Sequence, residues 1–150
     1  MSNKSSWRLR KATSTDTDVV LAMLREANLP AEGVLDHFPD GYIVAESGDD
    51  VIAVAGLEPY GRFGLLRSMT VLPEWRRRGI GKSLTERLLA LARTMGLDAV
   101  YLLTTTAPGY FTGKGFGRID REDVPPEIRA SVEFASACPA SAICMFRKLA

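Results

Sequence analysis

Cysteine and histidine are scarce in this sequence, with 2 of the former and 1 of the latter in 150 residues. Two cysteines build no disulfide framework. Cys138-x5-Cys144, with no histidine close by, does not match a zinc site, so no metal is expected. A dominant charge is also lacking: 19 basic residues stand against 18 acidic ones, for a formal net charge of +1. Duplex nucleic acid selects a basic face or stripe, and that balance argues against it. No apolar run approaches the length of a membrane-spanning helix, and the polar opening Met1–Arg8 has no apolar signal-peptide core. The expectation is a soluble, cytoplasmic protein with neither nucleic acid nor membrane as a partner.

What is present suits one domain over residues 1–150. Apolar residues make up 46% and charged ones 25%, enough to bury a core. Trp7–Ala12 alternates like a strand. Thr13-Ser14-Thr15-Asp16 is helix-start chemistry before Val19, Val20, Met23, Leu24 and Ala27 at helical spacing. Ala31–Phe38 reads as a second short helix. Gly41–Ser47 and Val51–Pro59 flank the turn Gly48-Asp49-Asp50 as a hairpin, and Phe63–Leu72 is a third strand, stopped by Pro73. A helix opens at Gly79-Ile80-Gly81, with Leu84, Leu88, Leu91, Ala92 and Met95 as its inner face, and closes at Gly96. Then come a strand at Ala99–Thr104, a short helix at Pro108–Lys114, a strand near Gly115–Asp120, a brief helix at Glu127–Phe134 and a last strand at Ala142–Leu149. Three strands in succession before a crossover helix predict a mixed α/β (α+β) fold, with a central sheet of about six to seven strands and helices on both faces.

The residues that carry chemistry lie where the third strand runs into the helix, in Arg67-Ser68-Met69-Thr70-Val71-Leu72-Pro73 and Arg76-Arg77-Arg78-Gly79-Ile80-Gly81-Lys82-Ser83. A helix start has N–H groups without intrahelical partners and a dipole that favours anions. Gly79 and Gly81 remove the side chains that would hold a phosphate away from those amides. Arg76, Arg77, Arg78 and Lys82 add positive charge, so a pyrophosphate site is expected. It is not a Walker loop, because Arg76 stands where that loop needs its first glycine. It is not a Rossmann turn either, because residue 84 is Leu.

Arg76-x-x-Gly79-x-Gly81, after Val71-x-Pro73, resembles the acetyl-CoA signature of the GCN5-related N-acetyltransferase (GNAT) superfamily. Tyr110-Phe111-Thr112-Gly113-Lys114-Gly115-Phe116 is similar to that family's aromatic Gly-Phe segment, and the element order matches the GNAT fold. The resemblance implies acetyl-CoA as cosubstrate. Its pantetheine would pair with the backbone of Met69, Thr70 and Val71 as an added strand, and its pyrophosphate would rest on the segment Arg76 to Ser83. Thr104, Thr105 and Phe111 would lie near the thioester. The C-terminal stretch from Asp120 to Met145 looks like a narrower branch, the amino-acid and arsenic-resistance N-acetyltransferases. That points to a small-molecule amine: an amino acid, or an arsenic- or phosphorus-containing glutamate analogue, acetylated by direct transfer in a ternary complex. It leaves room for a homodimer. Two alternatives stay open, an N-terminal acetyltransferase of peptides or proteins and a non-catalytic acetyl-CoA-binding sensor.

Direct transfer needs a path for the amine's proton and an acid for the thiolate. Where the family commonly has a tyrosine acid, this sequence has Phe111, and Tyr110 is the neighbouring candidate. Glu58 is the candidate base, although a carboxylate at the end of a hairpin strand is expected to be exposed. His37 is expected at an exposed helix end, and Glu74 in a turn. On the acceptor side, alternation along a regular strand puts Arg67, Met69 and Val71 on one face. A buried guanidinium needs a carboxylate: Glu58 or Glu133 within the chain, or a substrate's carboxylate held by Arg67 with Ser68 beside it.

Overall fold

In the computed structural model, which describes residues 6–137 and 141–149, the alternating and apolar runs make one seven-stranded sheet. The strands are β1 (Arg8–Lys11), β2 (Tyr42–Ser47), β3 (Asp50–Tyr60), β4 (Phe63–Val71), β5 (Ala99–Thr104), β6 (Gly117–Arg118) and β7 (Ile143–Lys148), in the spatial order β1-β2-β3-β4-β5-β7-β6. Only the β4–β5 pair is parallel; the others are antiparallel. The sheet is therefore mixed, as the succession of strands implied.

Helix α2 (Ile80–Thr94) is the crossover that joins the parallel pair. It buries Ile80, Leu84, Leu88, Leu89 and Ala92 against one face of the sheet. Each fully buried leucine contributes about 1.5–3 kcal/mol relative to exposure. Met95, expected on that face, is 44% exposed, because the helix ends at Thr94 and Gly96 turns the chain away with φ +74°. The opposite face is shared. Helix α1 (Thr17–Glu26) covers β2 and β3 through Val20, Met23 and Leu24, and Val124, Ile128 and Phe134 cover β4, β5 and β7. Ile128 lies in the short helix α4 (Pro126–Arg129), and Phe134 in a π-helical turn, Glu133–Ala137.

Several expected elements are shorter or divided. The helix foreseen over Ala31–Phe38 is one 3-10 turn, Val34–Asp36. The strand near Gly115–Asp120 keeps only β6. The helix foreseen over Glu127–Phe134 divides into α4 and the π-helical turn. Helix α3 (Pro108–Thr112) forms where expected. Near the N-terminus, Asp16 accepts hydrogen bonds from the Arg10 guanidinium at 2.8 and 2.9 Å. Those bonds hold its carboxyl below the usual range. Cys144 is buried in β7, and burial pushes its thiol up to about 11; Cys138 lies outside the described residues.

Two irregularities decide where the site falls. First, β4 bulges against β3: Val54 opposes Thr70 and Gly56 opposes Arg67, so Ala55 alone faces Ser68 and Met69. Ser68 takes φ +64° to fit the extra residue, and the bulge reverses the alternation. Met69 and Val71 join Leu66 on the α2 face, whereas Arg67 stays on the other. The expectation that Arg67, Met69 and Val71 share a face fails for that reason. Second, β4 and β5 pair only at Phe63↔Ala99, Gly64↔Val100 and Leu65↔Tyr101. Beyond these they part.

Gly56 lies in a cross-strand row between Tyr42 and Arg67, and a Cβ on it would run into the Tyr42 ring. Tyr42 is buried and donates to Glu58 Oε2 at 2.7 Å, so the ring has nowhere to go. Gly56→Ala is therefore expected to destabilise the fold by about 1–3 kcal/mol, an overpacking cost. This would be read as a lower urea midpoint at unchanged slope; an unchanged midpoint would show that the row has slack.

Candidate functional site

Where β4 and β5 separate, the sheet opens into a cleft. Its inner half, about 440 Å³, is lined by Leu66–Met69 of β4 and Leu102–Thr104 of β5. Thr105, Tyr110, the Asn28–Pro30 loop and Glu133 complete it. Its outer half, about 500 Å³, runs past Met69–Val71 to Arg76, Arg77, Gly79, Gly81 and Lys82. Leu29, Met69, Ala107 and Tyr110 line both halves, so they form one passage. Along it, β4 is bonded to β3 on one side and unpaired by any strand on the other, where the Val71 carbonyl accepts from Arg76 and the rest of the Met69–Val71 edge is open to an extended ligand.

At the outer end the chain builds an anion cradle. Gly79 precedes α2 with φ +82°, no side chain caps the helix start, and its first turn contains no acidic residue. A Cβ on Gly79 would meet nothing within 4 Å, so the space above the amides is open. Arg77 holds φ +64°, and Arg77, Arg78 and Lys82 are exposed. Arg76 and Arg78 are steadied from below: Arg76 Nε donates to Val71 O at 3.1 Å, and Arg78 donates to Glu74 O at 3.2 Å while stacking 4.5 Å over Trp75. Glu74 sits in the turn, as expected. These features fit the pyrophosphate of a CoA thioester: partnerless amides, no Cβ in the way and cations around them.

At the junction of the halves, the rings of Tyr110 and Phe111 meet edge to face with centroids 5.1 Å apart, and both residues line the inner half. Phe111 is buried against Phe116 in the α2-face core. Tyr110 is 38% exposed, and its hydroxyl lies 3.5 Å from Thr85 Oγ1. A Cβ on Gly81 would come within 3.2 Å of that hydroxyl, so the phenol sits directly over the first turn of α2. Thr104, expected near a thioester, lines the inner cleft but accepts a hydrogen bond from Ala107 N–H at 3.0 Å. It thereby fixes the loop that carries Tyr110.

Below the inner half lies a buried polar cluster in which both carboxylates considered as internal partners for Arg67, Glu58 and Glu133, stand beside it. Glu58 is fully buried, not exposed at a hairpin edge. It accepts from Tyr42 Oη at 2.7 Å and Tyr60 Oη at 2.9 Å, and it does not line the cleft. Desolvation, reinforced by the Glu58 carboxylate, pushes both phenols up, so they remain donors. Arg67, also buried, lies 3.7 Å from Glu58 and 3.6 Å from Glu133 Oε1, and donates to Pro30 O at 3.1 Å. His37 is half-buried with Nε2 4.0 Å from Glu58, not at an exposed helix end. Two buried donors in this cluster, Arg67 Nε and Ser68 Oγ, have no hydrogen-bond partner among the described residues. Both residues line the cleft. Three other arginines lie elsewhere: Arg10 is held by Asp16 and Glu46, Arg62 pairs with Asp98, and Arg129 is exposed.

The comparisons with known proteins agree with this geometry. The chain is 30% identical over 132 residues to the amino-acid acetyltransferase of Salmonella typhi, covering 81% of this chain and 29% of that protein. It is 28% identical over 137 residues to that of Edwardsiella ictaluri, covering 85% of this chain and 31% of that one. The chain thus spans about a third or less of the length of these curated relatives. Among solved structures, N-acetylglutamate synthase of Neisseria gonorrhoeae, complexed with coenzyme A and N-acetyl-glutamate, superposes with a TM-score of 0.82 at 19% identity, covering 97% of this chain and 35% of that one. A Mycobacterium tuberculosis protein solved in complex with CoA gives 0.81 at 22%, covering 95% of this chain and 99% of that one. These structural likenesses show the fold. The Acetyltransferase (GNAT) family model matches residues 7–118, across the motif strand, the cradle and the aromatic Gly-Phe segment, and the chain belongs to that family of acetyl-CoA-dependent acyltransferases.

Proposed function

We propose that the protein transfers the acetyl group of acetyl-CoA to the amine of a free amino acid or a close analogue, directly, with both substrates in the cleft. The reading is carried by one observation. Arg67 Nε, 3.6 Å from Glu133 Oε1, and Ser68 Oγ are two buried donors with no hydrogen bond among the described residues, and both residues line the same passage that ends at the glycine-rich start of α2. Buried donors are nearly always satisfied, and a substrate carboxylate is the acceptor that fits a guanidinium edge beside a hydroxyl. The names of the curated relatives support the same substrate class. The C-terminal resemblance extends it to glutamate analogues bearing phosphinic or arsinic groups.

Acetyl-CoA supplies the acetyl group as a thioester; the chain supplies placement and protons. The amides at Gly79–Lys82 hold the pyrophosphate, and the open side of Met69–Val71 orders the arm that leads inward. Tyr110 Oη carries a proton where the two halves meet. Glu58 sits behind Arg67 and, through Tyr42 and Tyr60, keeps the guanidinium in place.

Thiol release measured over a panel of free amino acids, their amides, N-terminal peptides and the phosphorus and arsenic analogues tests the assignment. Release with free amino acids is expected; release with peptides alone would make the protein an N-terminal acetyltransferase. Gly81→Val crowds the Tyr110 hydroxyl and covers the amides, so it should abolish saturable CoA binding while the circular dichroism stays native. Wild-type affinity in that folded variant would remove the cradle from the site. Tyr110→Phe should lower turnover by the order of 10²-fold, as for other lost proton transfers, with CoA affinity unchanged; an unchanged rate would assign the proton to water. Arg67→Lys keeps the charge but loses the Nε–H, and should cost about 10- to 150-fold in kcat/KM for carboxylated acceptors while sparing their amides. An equal loss on both would make Arg67 a purely structural ion-pair partner.

A further inference from the structure

Glu133 enters the sequence pattern only as an internal partner for Arg67, yet the fold places it on the wall of the acceptor half of the cleft. It is buried, and it opens the π-helical turn Glu133–Ala137. Turns of this kind are rare and occur frequently at functional sites. Its neighbours anchor it from both sides. Phe134 packs into the core against β4, β5 and β7. Ser131 Oγ donates to Ile128 O at 2.6 Å and accepts from Phe134 N–H at 3.4 Å. Its carboxylate is therefore held in position against Arg67.

We propose that Glu133 is the ammonium site of the acceptor cleft, so that Arg67 and Glu133 together read the zwitterionic head of a free α-amino acid. The inference rests on the amino-acid acetyltransferase reading above and narrows it. In an α-amino acid a single carbon separates amine from carboxylate, and bond lengths near 1.5 Å put the nitrogen about 3 Å from the nearer carboxylate oxygen. Arg67 Nε and Glu133 Oε1 lie 3.6 Å apart, a donor and an acceptor at a matching separation. A zwitterion laid across them sets its carboxylate against Arg67 and Ser68 and its ammonium against Glu133, and the four charges alternate in sign.

Charge in the cluster points the same way. Glu58 and Glu133 flank the Arg67 guanidinium at 3.7 and 3.6 Å, and His37 Nε2 stands 4.0 Å from Glu58, so a carboxylate and an ammonium laid on Arg67 and Glu133 each meet a group of opposite charge. The same spacing excludes other amines. A side-chain amine several carbons from its carboxylate does not span the pair, and a peptide's N-terminal residue has an amide where Arg67 wants a carboxylate. The α-amine of a free amino acid is selected.

The test takes the amino acid that gives the fastest thiol release with acetyl-CoA. The comparison compound is the α-hydroxy acid with the same side chain, which has the carboxylate but no ammonium. In the wild type the hydroxy acid should inhibit with a constant about tenfold or more above the amino acid's dissociation constant, as expected for loss of a charged hydrogen bond. Glu133→Gln should raise the acceptor KM by a similar factor, leave CoA binding unchanged and leave the hydroxy acid's inhibition no weaker; Glu133→Asp should recover part of the loss. Equal affinity of the two compounds for the wild type overturns the proposal, and so does a parallel loss of both in Glu133→Gln. If Glu133→Gln does not fold, the wild-type comparison decides alone. Absence of thiol release with every free amino acid would sink the broader reading, and this one with it. Release combined with equal binding of the two compounds sinks only the role of Glu133.

Discussion

Two parallel strands that stop pairing after three residues govern this protein. The β4–β5 ladder is bonded at Phe63, Gly64 and Leu65 and then opens, and the other features of the site follow from where it opens. The bulge at Ser68 begins three residues past the last pair. It turns Met69 and Val71 toward α2 while leaving Arg67 on the opposite face. The crossover helix that any parallel pair requires then brings its own N-terminus to the mouth of the gap. One strand so presents a backbone edge, a guanidinium and, a short turn later, a helix start.

The buried polar cluster beneath the cleft is costly to build, and that cost explains the composition around it. A buried Arg67 beside Glu58 needs every available polar contact to offset desolvation. Tyr42 and Tyr60 satisfy the carboxylate, and the Pro30 carbonyl takes one guanidinium donor. Gly56 leaves room for the Tyr42 ring in the row between them. The bond to Pro30 also ties the loop after α1 over the cleft. The Asn28–Pro30 segment is thus a wall of the site as well as a connection.

Much of this was legible in the sequence because it is local. The glycines at 79 and 81, the arginines before them and the leucine spacing of α2 all act within a turn or two of themselves. Their consequences follow from backbone geometry alone. That Phe111 is buried while Tyr110 is partly exposed follows from equally local geometry, since one step along a helix rotates a side chain by about 100°. The Ser68 bulge was not legible, because a serine at positive φ has no composition signal and only the register with β3 reveals it. Glu58 was misread as exposed because its partners come from β2 and its own strand's end. The apolar run Val51–Leu57 beside it was the available hint of burial on both faces. Glu133 was legible as a partner for Arg67, but its place on the cleft wall was not, because the π-helical turn departs from the 3.6-residue spacing used to judge which residues face inward.

A sheet that splits in its middle has four strand borders, not two. The inner borders of β4 and β5 present unpaired backbone groups, the template on which strands of other chains add and aggregate. This protein exposes such borders without inviting that outcome. The gap closes to a bonded pair at Leu65 and Tyr101, so its root offers no unpaired backbone to an added strand. The bulge also breaks the straight run a flat partner would need. The closed root and the bulge thus blunt the gap as a template for an added strand.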